Sequence, residues 1–180
     1  MLLNVLKGAY PSLQQISKDH VIEASAQFER GTCLVEKTET SGADSVTKWA
    51  VAGVDDASDK TKVVHFALQG SDDYQALMAG NVSGTGYVAK VTAISCLQPM
   101  EIETDMFVGD DLKAGDYLMV GANGKLVKHT TGKTAVLQVT KAPYVRWSNN
   151  ADATGVTAGF RQGTNVTVIA GRTVFLPALA

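Results

Sequence analysis

Short runs of alternating hydrophobic and polar residues, separated by turn residues, make up most of the chain after Val21. Met100 to Thr104 shows the two-residue period of a half-buried β-strand, and Tyr87 to Ile94 follows it over a longer stretch. About ten such segments, spaced roughly 8–12 residues apart with turn signals between them, are typical of a barrel or a sandwich. The pattern therefore predicts an all-β fold with only minor helix.

The clearest local element is a β-hairpin over residues 111–128. Asn123 and Gly124 lie at its tip, and these residue types adopt the positive φ angles that a tight turn between twisted antiparallel strands requires. No nucleophile, base or metal cluster lies beside it in the sequence, so we expect the hairpin to be scaffold. The other predicted strands cover residues 33–37, 47–51, 62–68, 87–94, 100–104, 135–140, 144–147, 165–169 and 173–176.

Two short helical segments interrupt the strands. Pro11 to Lys18 opens on a proline, which suits the first turn of a helix, and Gly70 to Asp73 can cap a helical turn over Tyr74 to Met78. If the chain is divided into two halves, the division falls between Gly70 and Gly86, where the composition becomes small and polar. Because no linker composition separates these halves, we expect them to pack tightly together.

Length and charge limit the classes of protein that fit the sequence. The 180 residues suit one domain with a real core. The 16 Lys+Arg and 18 Asp+Glu give a net charge of −2, which argues against a nucleic-acid partner. No apolar run approaches the ~20 residues of a membrane span, so we expect no membrane association. The apolar start is too short for a secretory signal, which favours a protein used without export.

Residues able to do chemistry do not form a recognisable motif. His20, His65 and His129 are far apart and lack partners at metal-ligand spacing. His65 lies in an apolar run, which favours a hydrogen-bonded core or face residue. The acidic pairs lack the ligand spacing of a calcium loop, and Gly132-Lys133-Thr134 lacks the first glycine of a phosphate-binding loop and is better explained as a hairpin turn. We therefore predict no enzyme, no metal and no cofactor.

Three further residues are predicted to be buried. The size of Trp49 and its place in a strand predict that it anchors the core, so we expect it to be shielded from solvent. Cys33 and Cys96 cannot form a disulfide framework, and we expect both to be buried free thiols.

Both ends of the chain are apolar. Because loose apolar ends favour aggregation, each end must be covered. One alternative is that the ends complete the sheet of their own domain, and the other is that an end docks on a neighbouring subunit by strand addition or in an apolar groove. Under the second alternative the interface residues are Leu2, Leu3, Val5, Leu6, Tyr10, Phe175, Leu176 and Leu179. The corresponding division is residues 1–30 as an N-terminal arm and lead-in, and residues 31–180 as the β-rich domain with its C-terminal tail.

The order of several motifs resembles the capsid decoration (cement) proteins of tailed bacteriophages. The resemblance spans roughly Arg30 to Val139. It is carried by Arg30-Gly31-Thr32-Cys33-Leu34-Val35, Phe66-Ala67-Leu68-Gln69-Gly70-Ser71-Asp72-Asp73, Gly80-Asn81-Val82-Ser83-Gly84 and the stretch from Glu101 to Lys128. It implies a small β-barrel or β-tulip-like domain that forms dimers or trimers on the outside of the head and binds the major capsid protein. The segments before Gly31 and after Thr140 have no counterpart in the smallest decoration proteins.

The resemblance predicts a non-enzymatic virion structural protein, made in the cytoplasm of the bacterial host and located on the capsid exterior. Such a protein stabilises the shell through many buried interfaces. One alternative is a tail, fibre or adaptor subunit present in few copies. Another is a β-sandwich carbohydrate-binding module, which requires Trp49, Trp147 and Tyr144 to be exposed in one plane.

Overall fold

The computed structural model describes residues 3–8, 17–22, 28–41, 44–70, 81–83, 86–88, 90–148 and 164–179. These residues contain β-strands and two short 3₁₀ turns, at Asp56–Ser58 and Ala122–Gly124, but no α-helix. The strands are β1 (Leu3–Gly8), β2 (Ser17–Ile22), β3 (Cys33–Ser41), β4 (Asp44–Val51), β5 (His65–Ala67), β6 (Asn81–Ser83), β7 (Gly86–Val88), β8 (Lys90–Ser95), β9 (Met100–Thr104), β10 (Tyr117–Val120), β11 (Leu126–Lys128), β12 (Ala135–Ser148) and β13 (Thr164–Leu176). The predicted all-β fold is confirmed.

Five of these strands form a closed barrel in the order β2-β4-β3-β5-β8. All neighbours in the barrel are antiparallel except β2 and β4, which pair in parallel at Val21↔Lys48 and Ile22↔Trp49. A closed barrel leaves no free sheet edge within the hydrogen-bonded ring. The expected small barrel is therefore present.

A second, six-stranded sheet has the order β1-β9-β13-β12-β10-β11, and all its neighbours are antiparallel. The first thirty residues contribute a strand to each unit, because β1 pairs with β9 of the sheet and β2 pairs with β8 of the barrel. The described part of the expected N-terminal arm is thus built into the fold. Strands β6 and β7 pair with each other in a small separate ribbon.

The main hydrophobic core lies between the barrel wall and the six-stranded sheet, and a second core fills the barrel. Successive side chains of a strand point to opposite faces, so β3 divides between the two cores. Cys33 and Val35 join the main core, while Leu34 packs inside the barrel with Trp49. The main core draws side chains from both units and from both sides of the predicted division at residues 70–86, so the two halves of the chain pack tightly as expected. Cys33 and Cys96 are buried and free, which confirms that prediction.

Strands β12 and β13 are longer than predicted. The predicted strands 135–140 and 144–147 form one strand, and so do 165–169 and 173–176, so the breaks expected between them are wrong. Pro143 and Gly171 lie in these two gaps. The pairing passes from Lys141↔Ala170 to Tyr144↔Val168, which places two residues of β12 opposite one of β13. Such a bulge accommodates a proline within a strand.

The predicted hairpin turn is confirmed. Asn123 and Gly124 have φ angles of 56° and 66°. The tip of the hairpin contacts the barrel, because the Gly124 amide donates a hydrogen bond to the Ala52 carbonyl oxygen at 2.9 Å. The predicted helix over residues 11–18 is wrong at its C-terminal end, because Ser17 and Lys18 begin β2. The rest of that helix and the helical turn at 74–78 lie outside the described residues. Within the described part of the chain, no helix is long and apolar enough to cross a membrane.

Candidate functional site

The outer parts of β12 and β13 form a two-stranded ribbon, which we call the hairpin arm (residues 140–148 of β12 and 164–168 of β13). Strand β9 pairs with β13 from Ile169 to Arg172, and β10 pairs with β12 at Leu137 and Gln138. Beyond those positions, the two strands pair only with each other among the described residues, from Tyr144↔Val168 to Ser148↔Thr164. Five register pairs extend the arm by roughly 15 Å at the usual rise per residue. Among the described residues, neither edge of the arm pairs with a further strand.

A buried carboxylate fixes the base of the hairpin arm. Glu103, on β9, is only 2% exposed, although it lies on the sheet face opposite the main core. The Tyr144 hydroxyl donates to its Oε1, and Arg146 Nη1 donates to its Oε2. Both donors come from β12 and reach Glu103 across β13. These charge-assisted hydrogen bonds connect the arm to the sheet.

Further polar contacts surround this carboxylate. Lys141 Nζ lies 3.6 Å from the centre of the Tyr144 ring, and Thr140 Oγ1 donates to Glu101 Oε1 at 3.1 Å. Burial raises the pKa of Tyr144 above its usual value, and the charge of Glu101 acts in the same direction. Tyr144 therefore stays neutral and keeps its hydrogen for Glu103 at physiological pH.

A second polar group lies at one end of the barrel interior, and we call it the barrel cluster (Lys18, His20, Glu36, Trp49 and His65). Glu36 Oε1 accepts a hydrogen bond from Lys18 Nζ at 2.8 Å and lies 3.0 Å from His20 Nε2. The ring of Trp49 stands between two imidazoles, with centroids 4.8 Å from His20 and 4.9 Å from His65. Trp49 Nε1 donates to the Val91 carbonyl oxygen at 2.8 Å. Four strands, β2 to β5, thus contribute side chains to one cluster.

Charge in the barrel cluster is balanced around Glu36. Partial burial acts to raise the pKa of Glu36, but the hydrogen bonds from Lys18 and His20 and the charge of Lys18 lower it below its usual value. Glu36 is therefore ionised at neutral pH. Within the described residues, no group of three or more His, Cys, Asp or Glu side chains is placed to hold a metal ion.

The N-terminal residues that we expected at an interface occupy different environments. Leu3 is 1% exposed and belongs to the main core, whereas Leu6 is 44% exposed. Val5 pairs with Ile102 of β9. Leu2 and Tyr10 lie outside the described residues.

The C-terminal residues of that set lie against their own domain. Phe175 packs on the main core, and Leu176 pairs with Ala135 of β12. The Leu179 amide donates to the Lys133 carbonyl oxygen at 3.0 Å, and the Gly132 amide donates to the Leu179 carbonyl oxygen at 2.9 Å. The turn around Gly132 joins β11 to β12, and these strands both pair with β10 and not with each other, so the hairpin turn expected here is wrong. A docking role for either end of the chain remains a prediction.

No known protein family matches the chain, and no curated protein or solved structure matches it either. The resemblance to decoration proteins therefore rests on the sequence motifs alone.

No local pattern along the chain indicates either polar group. Glu36 and His20 are 16 residues apart, and Glu103 is 43 residues from Arg146. Alternation in β9 places Glu103 on the face opposite Ile102, where a carboxylate normally meets water. Only the pairing of distant strands brings these side chains together. His65 is a core residue as expected, but its expected hydrogen bonding is incomplete, because its Nδ1 has no partner among the described residues.

Proposed function

We propose that this chain is a non-enzymatic structural protein of a tailed-bacteriophage virion. It binds the outside of the head, contacts the major capsid protein and stabilises contacts between capsid subunits. The motifs between Arg30 and Val139 supply the family resemblance, and the all-β fold with a small barrel is compatible with it. Self-association as dimers or trimers belongs to the same proposal.

The hairpin arm is the observation that carries this proposal. A clamp between shell subunits needs an element that reaches beyond its own domain, and strand addition to an open edge supplies main-chain hydrogen bonds without a preformed pocket. The arm offers two such edges. The hydrogen bonds of Tyr144 and Arg146 to Glu103 restrict the orientation of the arm. Less conformational entropy is therefore lost when a partner binds.

Exposed apolar side chains on the arm support the same use. Val145 is 66% exposed, the largest exposure among the large hydrophobic residues described. Thr167, its register partner on β13, is also exposed. β-Branched residues favour extended backbone, so this pair suits the formation of a further strand on the arm.

The two alternative functions differ in how well they agree with the fold. A carbohydrate-binding module needs Trp49 in an exposed aromatic plane, whereas Trp49 is 0% exposed. The expected burial of Trp49 is thus confirmed, and it argues against that alternative. A low-copy tail, fibre or adaptor subunit can use the same arm, so copy number separates it from a decoration protein.

The first experiment is quantitative mass spectrometry of purified particles of the phage that encodes the chain. We expect a copy number equal to that of the major capsid protein or to a simple fraction of it. A few copies per particle would overturn the decoration role in favour of an adaptor or tail subunit. Absence from the particle would overturn the virion proposal altogether.

The second experiment tests the arm with heads that lack the chain. Val145→Lys places a charge on the exposed arm, and we expect at least a tenfold loss of head binding with an unchanged melting temperature. Val54→Lys is the matched control, because Val54 is 46% exposed in a turn outside the arm. Equal binding by the two variants would remove the arm from the proposal.

A further inference from the structure

His65 is a buried imidazole with incomplete hydrogen bonding. Its side chain lies inside the barrel and is 1% exposed, and its Nδ1 has no hydrogen-bond partner among the described residues. The imidazole ring of His65 packs against the indole ring of Trp49, and the two ring planes make an angle of 52°. Trp49 is fixed in turn by its hydrogen bond to Val91 and by the edge of His20. His65 therefore has little freedom to move toward a new partner.

The Glu36 carboxylate and the Val63 backbone favour a proton on His65, but burial outweighs both of them. Strand β3 contributes Glu36, whose Oε1 already interacts with both Lys18 and His20 of β2. Strand β4 contributes Trp49, and β8 contributes Ser95, the register partner of His65. Neither Trp49 nor Ser95 titrates in the acid range.

Burial lowers the pKa of His65 to about 4. The Glu36 charge and the Val63 backbone act in the opposite direction, while the charges of Lys18 and His20 add to the lowering. In the unfolded chain the same imidazole has an ordinary pKa near ~6.5. Between these two values the unfolded chain binds more protons than the folded protein.

We propose that His65 makes the barrel labile in mild acid: when the imidazole gains a proton, the buried charge is removed from water with no acceptor at Nδ1, and the five strands separate. Stability contributed by the neutral form is fully present above about pH 6.5 and is lost progressively as the pH falls toward about 4. Below about pH 4, His65 causes no further loss of folding stability. This acid sensitivity is independent of the proposed virion role, since it depends only on the side chains inside the barrel.

Urea unfolding of the full chain between pH 7 and pH 3.5 tests this inference. A Trp147→Phe background leaves Trp49 as the single tryptophan, so its emission reports the barrel interior. We expect the folding equilibrium constant to fall roughly 100-fold more in the background protein than in a His65→Asn variant over this range. His129→Asn is the matched control, because His129 Nε2 contacts the Lys133 carbonyl oxygen outside the barrel, 3.1 Å away. This control should keep the full acid sensitivity.

An equal loss in the background protein and in His65→Asn would overturn the proposal. If His65→Asn does not fold, ¹⁵N chemical shifts of the imidazoles in the otherwise unaltered protein decide the question. The proposal requires the His65 ring to remain neutral in the folded protein at pH 5.5. A charged His65 ring in folded protein at that pH would also overturn it.

Discussion

Leu137 and Gly171 approach each other so closely across β12 and β13 that only a glycine fits at the second position. A Cβ built on Gly171 would lie 2.7 Å from both Cγ and Cδ2 of Leu137 and 2.9 Å from the Gln138 carbonyl oxygen. Gly171 itself pairs with Val139 in the middle of the sheet. The glycine therefore allows β13 to continue without a break while Leu137 fills the main core.

Gly171→Ala should lower the free energy of unfolding by about 1–3 kcal/mol, because the methyl group overpacks a core that cannot expand freely. Equilibrium urea denaturation measures the loss. Gly53→Ala is the control, since its nearest contact would be Asp56 Oδ2 at 3.9 Å and its backbone has no positive φ. A cost at Gly171 no larger than that at Gly53 would contradict the close approach.

Gly124→Ala should be more damaging, by about 2–4 kcal/mol, because two penalties act together. The φ angle of Gly124 is +66°, and an added Cβ would lie 2.4 Å from Thr32 Cγ2 and 2.8 Å from the Cys33 carbonyl oxygen. Gly132→Ala isolates the backbone penalty, since Gly132 has φ +84° with nothing within 4 Å of the added Cβ. Thermal and urea denaturation of the pair should show the larger loss at Gly124. Equal losses of unfolding free energy in Gly124→Ala and Gly132→Ala would contradict the close contact between the hairpin tip and the barrel.

Residue alternation and turn residues in the sequence predicted several strands and the hairpin turn correctly. The alternation at Met100 to Thr104 gave the observed bounds of β9, and the Asn123-Gly124 pair gave the correct turn. The parallel pairing of β2 with β4, which closes the barrel, has no local signal because the two strands are far apart in the chain. The strand breaks predicted at residues 141–143 and 170–172 are absent, because a bulge around Pro143 and a close strand approach at Gly171 let each strand continue.

The polar groups were less predictable than the strands. A carboxylate on the outer face of β9 is expected to be solvated, and Glu103 is buried only because Tyr144 and Arg146 cover it from β12. The barrel cluster likewise exists only after closure, when β2, β3, β4 and β5 bring their side chains together. Short-range patterns carry no information about such contacts between distant strands.

Arg146→Gln should lower the free energy of unfolding by about 1.5–3 kcal/mol, because it removes a charge-assisted hydrogen bond to the buried carboxylate of Glu103. Lys141→Gln is the matched control. It removes a cation placed over the Tyr144 ring, which at an exposed site is worth about 0.5–1 kcal/mol. Amide hydrogen exchange should show faster exchange in the hairpin arm of the Arg146 variant than in the Lys141 variant. Similar exchange in the two variants would mean that Glu103 does not fix the arm.

Leu3 and Leu6 allow the two alternatives for the N-terminal end to be separated. Leu3→Ala should cost about 2–4 kcal/mol, because Leu3 is buried in the main core. Leu6→Ala should cost less than about 1 kcal/mol, because the Leu6 side chain is already 44% exposed. Urea denaturation measures both losses.

Binding of the same two variants to heads that lack the chain then assigns the role of β1. If β1 only completes its own sheet, Leu6→Ala binds like the unaltered protein, and Leu3→Ala binds normally at temperatures at which it stays folded. A stable Leu6→Ala variant that no longer binds would show instead that this end docks on a neighbouring subunit. Because Leu6 lies at the register shift between Val5 and Lys7, its side chain can be exchanged without disturbing a regular pair of β1 with β9.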